Sequence, residues 1–410
     1  MRASRRVAAL VVATALTASG CAVERPGPPS SAVSPTDAAG LPSGVDATAQ
    51  PGALTWVDGT VVVARDVSLS SARLAAEGVD LVRLSTSPAP GDGSSLGALA
   101  LLADGSLVVS RAPADQYDGG AWLSEPSVIG TLVDGEFRAW PSSQDVLEDE
   151  HPRQVYDASA DGDVVAWAET PSTQVGVDPW RIFARTGDGA TTLVARAEDA
   201  GAGGEAGSLL VAGERVYWAS SRGVVSRDVA GEEPIRLEVP GAAQPAIGDG
   251  GLYVARTGPD GTFGVARADG EGGSSPVLAY TGPAGASVGS LVADGDRLAF
   301  VVTSPTDTGG SVQVADLAAS TVTSVALPSS GRSTSLALCG DRLIWTSADG
   351  SGTTPDEPVY VLDLVSGDLV GVVVPGSFGG VLCAGDLVAW RTLVPPDRAA
   401  TTTVVRWGAG

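Results

Sequence analysis

The 410-residue chain contains no lysine and no asparagine, so all of its basic charge is arginine. This removes the phosphate-cradling lysine of a Walker A loop, a kinase lysine, a Schiff-base lysine and any N-glycosylation acceptor. With a single histidine, His151, no multi-histidine metal site can be built, and no metal or cofactor is expected. Positive charge is scarce as well: 25 basic residues stand against 48 acidic ones, a net charge of −23. Phosphate backbones need basic patches that release counterions, so nucleic acid and anionic headgroups are poor partners for this chain. Apolar residues are not scarce. At 43% hydrophobic the chain can bury a sizeable core, which excludes global disorder.

What is abundant is turn chemistry, with 54 Gly and 27 Pro. At the N-terminus, Arg2, Arg5 and Arg6 precede the uncharged run Val7–Thr17, and small residues then lead to Cys21, the order of a secretory signal. The uncharged stretch Val7–Val23 has 17 residues but includes Thr14, Thr17, Ser19 and Gly20, which makes a spanning helix the weaker reading. Ala18-Ser19-Gly20-Cys21 resembles the lipobox of bacterial lipoproteins. The resemblance implies removal of residues 1–20 and diacylation of Cys21, since two acyl chains anchor stably where one does not. The alternative is an ordinary cleaved signal. Residues 21–52 are rich in Pro, Ser, Gly and Ala with no apolar period, a flexible tether. Its 31 residues after Cys21 give a reach of about 30 Å. These features place the protein on the extracytoplasmic face of the cell membrane, touching the bilayer only through its anchor.

The rest of the chain repeats. Asp161-Gly-Asp-Val-Val-Ala-Trp167, Gly213-Glu-Arg-Val-Tyr-Trp218, Asp294-Gly-Asp-Arg-Leu-Ala-Phe300, Gly340-Asp-Arg-Leu-Ile-Trp345 and Gly385-Asp-Leu-Val-Ala-Trp390 share one shape, with 45 residues between successive members of the last three. Each is an apolar run, a Gly/Asp turn and a second apolar run ending in an aromatic, the pattern of a β-hairpin. A second hairpin follows in most copies, such as Val359–Leu364 with Leu369–Val374. Four short strands per repeat describe one blade of an all-β propeller with four-stranded antiparallel blades, the recurrent aromatic lying between blades. The domain is assigned to residues 53–410. Copies begin near residues 55, 97, 156, 208, 244, 288, 335 and 380, giving seven blades if residues 53–66 complete the last one. Val79–Ser85 also reads as a strand, which leaves eight open. The pattern resembles the bacterial extracytoplasmic propellers of the TolB and YVTN type, from which no site residue carries over.

Cys339 and Cys383 occupy nearly matching positions in the last two hairpins, so a disulfide between blades and a pair of buried thiols are both open. Three apparent motifs dissolve on inspection. Gly285-Ala-Ser287-Val-Gly289 lacks the strand–turn–helix of a nucleophile elbow. The calcium-loop start at Asp157 has Ala168 where a bidentate Glu is needed, and Gly91–Gly97 has the wrong spacing for a dinucleotide loop.

Three connections are long: Ala112–Ser127, Pro141–Tyr156 and Thr170–Pro179. Propeller topology sends all three to one face, where they gather Tyr117, Trp122, Trp140, His151, Arg153, Tyr156 and Trp180. Such residues anchor interfaces or stack on sugars, and the alternative is that they pack down over the first blades. The opposite face carries the turn acids Asp161, Asp163, Glu214, Asp249, Asp294, Asp296, Asp341 and Asp386, which turn chemistry alone explains. The expected protein is a monomeric, non-catalytic scaffold for an envelope protein or glycan. An envelope carbohydrate enzyme using loop carboxylates, or a small-molecule or cation sensor, are the alternatives.

Overall fold

The computed structural model describes residues 54–408 apart from 115, 117–121, 142, 148–150, 174–178, 201–205, 259–261, 283–284, 306–308, 329–333, 348–357, 373–376 and 395–398. The signal, Cys21 and the tether lie outside these residues. Among the described residues, no helix is long and apolar enough to cross a membrane.

The repeated turn pair, Gly-Asp or in one blade Gly-Glu, does what its chemistry requires. Gly162, Gly213, Gly295, Gly340 and Gly385 lead two-residue hairpin turns at φ values between +55° and +60°, a region that costs glycine nothing. The hairpins assemble into seven antiparallel sheets set around an axis, a seven-bladed β-propeller. Blade 1 spans Ser95–Ala139, blade 2 Gln154–Arg196, blade 3 Gly207–Pro240 and blade 4 Ala243–Thr281. Blade 5 spans Ser287–Ala326, blade 6 Thr334–Val372, and blade 7 begins with the three strands of Ser377–Trp407.

There is no single core. Each of the seven blade–blade interfaces holds its own apolar cluster, and the recurrent aromatics Trp167, Trp218, Phe300, Trp345 and Trp390 are all buried within them. Truncating one of these rings would cost about 3–5 kcal/mol, the usual penalty for a buried aromatic.

The ring closes differently from the sequence expectation. The outer strand of blade 7 is not residues 53–66. It is β4 (Leu81–Ser87), antiparallel to Ala399–Trp407. The run read as evidence for an eighth blade is therefore the closing strand, and the count is seven. Residues before it form a strap along the outer rim. β1 (Leu54–Trp56) adds a fifth strand to blade 4, β2 (Ala64–Val67) to blade 5 and β3 (Arg73–Leu74) to blade 6, the last two in parallel. The Asp58-Gly59 turn that imitates a blade hairpin sits within this strap, linking Trp56 back to Thr60 and Thr55 to Val61.

The inner ring shows a second device. An innermost strand exposes backbone donors on its channel side, and bare donors are unfavourable. Alternate residues of one blade cover those of the next: Asp157, Ser159 and Asp161 accept from the backbone N–H of Leu209, Val211 and Gly213 at 3.0, 3.0 and 2.7 Å. Asp294 accepts from the Gly340 N–H and Ser335 from that of Val381 in the corresponding places. Cys339 holds the position of Asp161 and Asp294 in its own blade, and there the link is covalent. A disulfide joins Cys339 to Cys383 with Cα atoms 6.2 Å apart.

Candidate binding surface

Antiparallel strands alternate direction, so the loops after second and fourth strands leave the same face. Residues 113–127 follow the second strand of blade 1, 140–153 join blades 1 and 2, and 171–180 follow the second strand of blade 2. The three form one cluster, stitched by backbone and side chain. Trp122 and Ser172 form an antiparallel bridge, and the Leu123 N–H donates to the Pro171 carbonyl at 3.3 Å. Ser127 N–H donates to Arg153 O, Val155 N–H to Ser127 Oγ, and Gln154 Nε2 to Ser172 O at 2.6 Å.

Beneath them lies Glu169, buried at the end of the otherwise apolar strand Val164–Thr170. Ser143 Oγ donates to Glu169 Oε2 at 2.7 Å and the Trp167 indole N–H to Oε1 at 2.8 Å. Burial raises this carboxyl above the usual range, opposed by these two hydrogen bonds and by the charges of Arg153 and Arg181. The bond from Ser143 ties α1 (Ser143–Val146) to blade 2, while the bond from Trp167 fixes the carboxylate within its own strand. The sequence reading passed over Glu169. Its signal was a lone carboxylate two residues past the recurrent tryptophan, in a run otherwise free of charge.

The seven expected residues separate by burial. Tyr117, and Glu148-Asp149-Glu150 beside the histidine, lie outside the described residues. Trp180 is 1% exposed and packs edge-on against Trp218, 6.4 Å between ring centres. Arg153 is buried and donates to the Pro179 carbonyl at 2.6 Å. Both are corrected from surface contacts to supports, because the neighbouring blade and the third loop close over them. Trp140 is partly buried against Trp167 and carries the Arg185 guanidinium 5.5 Å over its ring. Tyr156 is partly buried too, its hydroxyl donating to the Ala206 carbonyl at 2.8 Å. Trp122 and His151 remain at the surface. They stack on each other, ring centres 5.3 Å apart at 15°. Trp122 is 50% exposed, whereas no other tryptophan of the chain counts among the exposed large apolar residues.

The opposite face offers less. Asp161 and Asp294 are used by backbone donors, Asp341 pairs with Arg297 and Asp386 with Arg406. Two shallow depressions of about 270 and 310 Å³ lie beside hairpin turns, one at Trp56 and Tyr253, one at Arg297, neither touching the long loops. No group of three or more metal-binding side chains occurs among the described residues.

No protein-family model matches the sequence, and no curated protein does. Solved structures are similar in fold. One comes from a structural and mechanistic study of two prolyl endopeptidases, with 16% identity and a TM-score of 0.45, over 73% of this chain and 45% of that one. Puromycin hydrolase gives 11% identity and a TM-score of 0.46, over 78% of this chain and 53% of its own. The β-propeller domain of the trilobed protease from Pyrococcus furiosus gives 13% identity and a TM-score of 0.37, over 59% and 79%. The chain spans about half the length of the first two. At such identities the likeness concerns the propeller alone.

Proposed function

We propose that the chain is a lipid-anchored, extracytoplasmic propeller whose long-loop face binds an envelope protein or glycan without catalysis. The observation that carries this reading is the Trp122–His151 stack: a half-exposed indole fixed in place by three cross-linked loops over a buried carboxylate. An exposed aromatic costs free energy in water unless something covers it, and rigid aromatics are the usual centres of interfaces and sugar platforms. The lipobox resemblance at Cys21 and the 21–52 tether supply the anchor and the reach. Glu169 supports binding rather than turnover, since both of its oxygens are spent on Ser143 and Trp167.

The test is affinity capture from a solubilised envelope fraction, using the chain from residue 51 as bait beside a Trp122→Ala, His151→Ala bait. A component retained by the first and lost from the second is expected. Retention of the same components by both would overturn the assignment of this face.

A further inference from the structure

The depression beside Trp56, about 270 Å³, opens where blades 4 and 5 meet under the strap. Tyr253 stands directly opposite Arg267 across two antiparallel strands of blade 4. Both side chains therefore leave the same face, the one that buries Phe263 and Val265 against blade 5. Counted from the inner hairpin, the same place in blades 5 and 6 is taken by Val314 and Val361, both buried. Blade 4 sets a cation where these neighbours set an apolar side chain.

Among the described residues nothing engages that cation: Arg267 is exposed, and its guanidinium makes no ion pair or hydrogen bond. Asp269, two residues on, accepts instead from Ser275 Oγ at 2.6 Å. No acidic residue lines the depression, so its single charge is positive in a chain of net −23. Tyr253 supplies a second unused group. It is 3% exposed, yet its hydroxyl has no hydrogen-bond partner among the described residues, where a buried tyrosine ordinarily finds one. Gly250 keeps space for that hydroxyl, since a side chain there would collide with it. Trp56, held through its backbone N–H and carbonyl by Thr60 and Gly59, completes the lining with Pro276 and Leu317 as apolar walls.

We infer that this depression binds a small organic anion, a carboxylate carried on a single ring. The planar guanidinium of Arg267 takes both carboxylate oxygens as a fork, and the Tyr253 hydroxyl donates to one of them. The ring lies against Trp56, whose indole accepts the apolar face of a sugar or a flat aromatic ring. A volume of about 270 Å³ falls below that of drug-sized sites and suits one ring. One cation balances a monoanion, whereas a phosphate dianion would stay half-neutralised within an acidic molecule. None of the lining residues belongs to the long loops, so the two surfaces are tested separately.

The probes are glucuronate and benzoate, titrated calorimetrically into the full chain beside glucose, which lacks the charge, and acetate, which lacks the ring. The expected result is saturable binding of a ring carboxylate at or below about 1 mM, with glucose and acetate at least about tenfold weaker. Binding of glucuronate alone makes the source an acidic sugar, and binding of benzoate alone an aromatic acid. Binding of both shows that only the shared chemistry is read. Arg267→Gln, at an exposed side chain, should weaken binding at least about tenfold. Tyr253→Phe keeps the buried ring and should weaken it at least about threefold. Arg138→Gln removes the same charge from an exposed site on blade 1 and should change nothing. Binding of neither ring carboxylate, equal binding of glucose or acetate, or an equal loss from Arg138→Gln overturns the proposal. If Tyr253→Phe fails to fold, Arg267→Gln against Arg138→Gln decides.

Discussion

Asp157 shows how a single side chain can serve the fold and strain it. Its carboxyl covers the Leu209 N–H at 3.0 Å, yet burial pushes it from 3.8 up to about 6. Below about pH 4 the group is protonated in both folded and unfolded chains and has no effect on stability. Between about 4 and 6 the unfolded chain has released a proton that the native state still holds, so stability falls as pH rises. Above about 6 the whole penalty, on the order of 2–3 kcal/mol, is present. Asp157→Asn keeps an acceptor for Leu209 and removes the charge. It is expected to exceed the wild type by about 1 kcal/mol near pH 4.5 and by the whole of the penalty near pH 7, as measured by urea unfolding at several pH values. Equal stability at both pH values would contradict the account. Glu169, also raised, adds a slope of the same sign in both proteins. Asp80, held low first of all by its hydrogen bonds from Arg73, loses its contribution only as pH falls below its ordinary value, outside this window.

At the scale of elements, the inner ring makes the same junction in two ways, by hydrogen bond at Asp161 and Asp294 and by disulfide at Cys339. The disulfide closes a loop of 44 residues, for which chain entropy gives about 4 kcal/mol, within the about 2–4 kcal/mol that disulfides usually contribute. Replacing both cysteines with serine should lower stability by that amount, whereas Asp161→Ala should cost about 1 kcal/mol. Chemical denaturation of the two variants checks the ranking, and a larger loss from Asp161→Ala would contradict it. These elements differ in how far the sequence revealed them. The Gly-Asp turns, the apolar runs on either side and the recurrent tryptophans are local signals, and they mark the inner hairpin of each blade. β1, β2 and β3 have three, four and two residues and take their partners from blades more than two hundred residues away, so no local period marks them. Asp58-Gly59 has the right turn chemistry in the wrong place. The candidate site divides along the same line. The gaps between repeats announced three long loops on one face, but whether a tryptophan points outward depends on its neighbour: Trp218 takes in Trp180, whereas among the described residues Trp122 is left half exposed, stacked only on His151.

At the scale of the molecule, the propeller is a closed ring whose last blade is completed from the N-terminal side. Removing residues up to 76 deletes the three fifth strands but keeps β4, so a cooperative though weakened unfolding transition is expected. Removing residues up to 88 takes away β4 and its antiparallel pairing, uncovering Ala399–Trp407 and the packing of Leu81 against Trp407. That chain should lose cooperative unfolding and aggregate through its open edge. Calorimetry and size exclusion distinguish the two truncations, and a stable, monomeric second truncation would contradict the closure.

The claim that unites these scales is that a rigid ring presents the Trp122 face to a partner. Photo-cross-linking tests it most directly, with a photoreactive residue at position 122 and, in a parallel protein, at Glu271 in a hairpin turn on the opposite face. Irradiation in the native envelope should give a discrete adduct from position 122 and none from 271. Adducts from 271 alone, or the same set from both positions, would contradict the account.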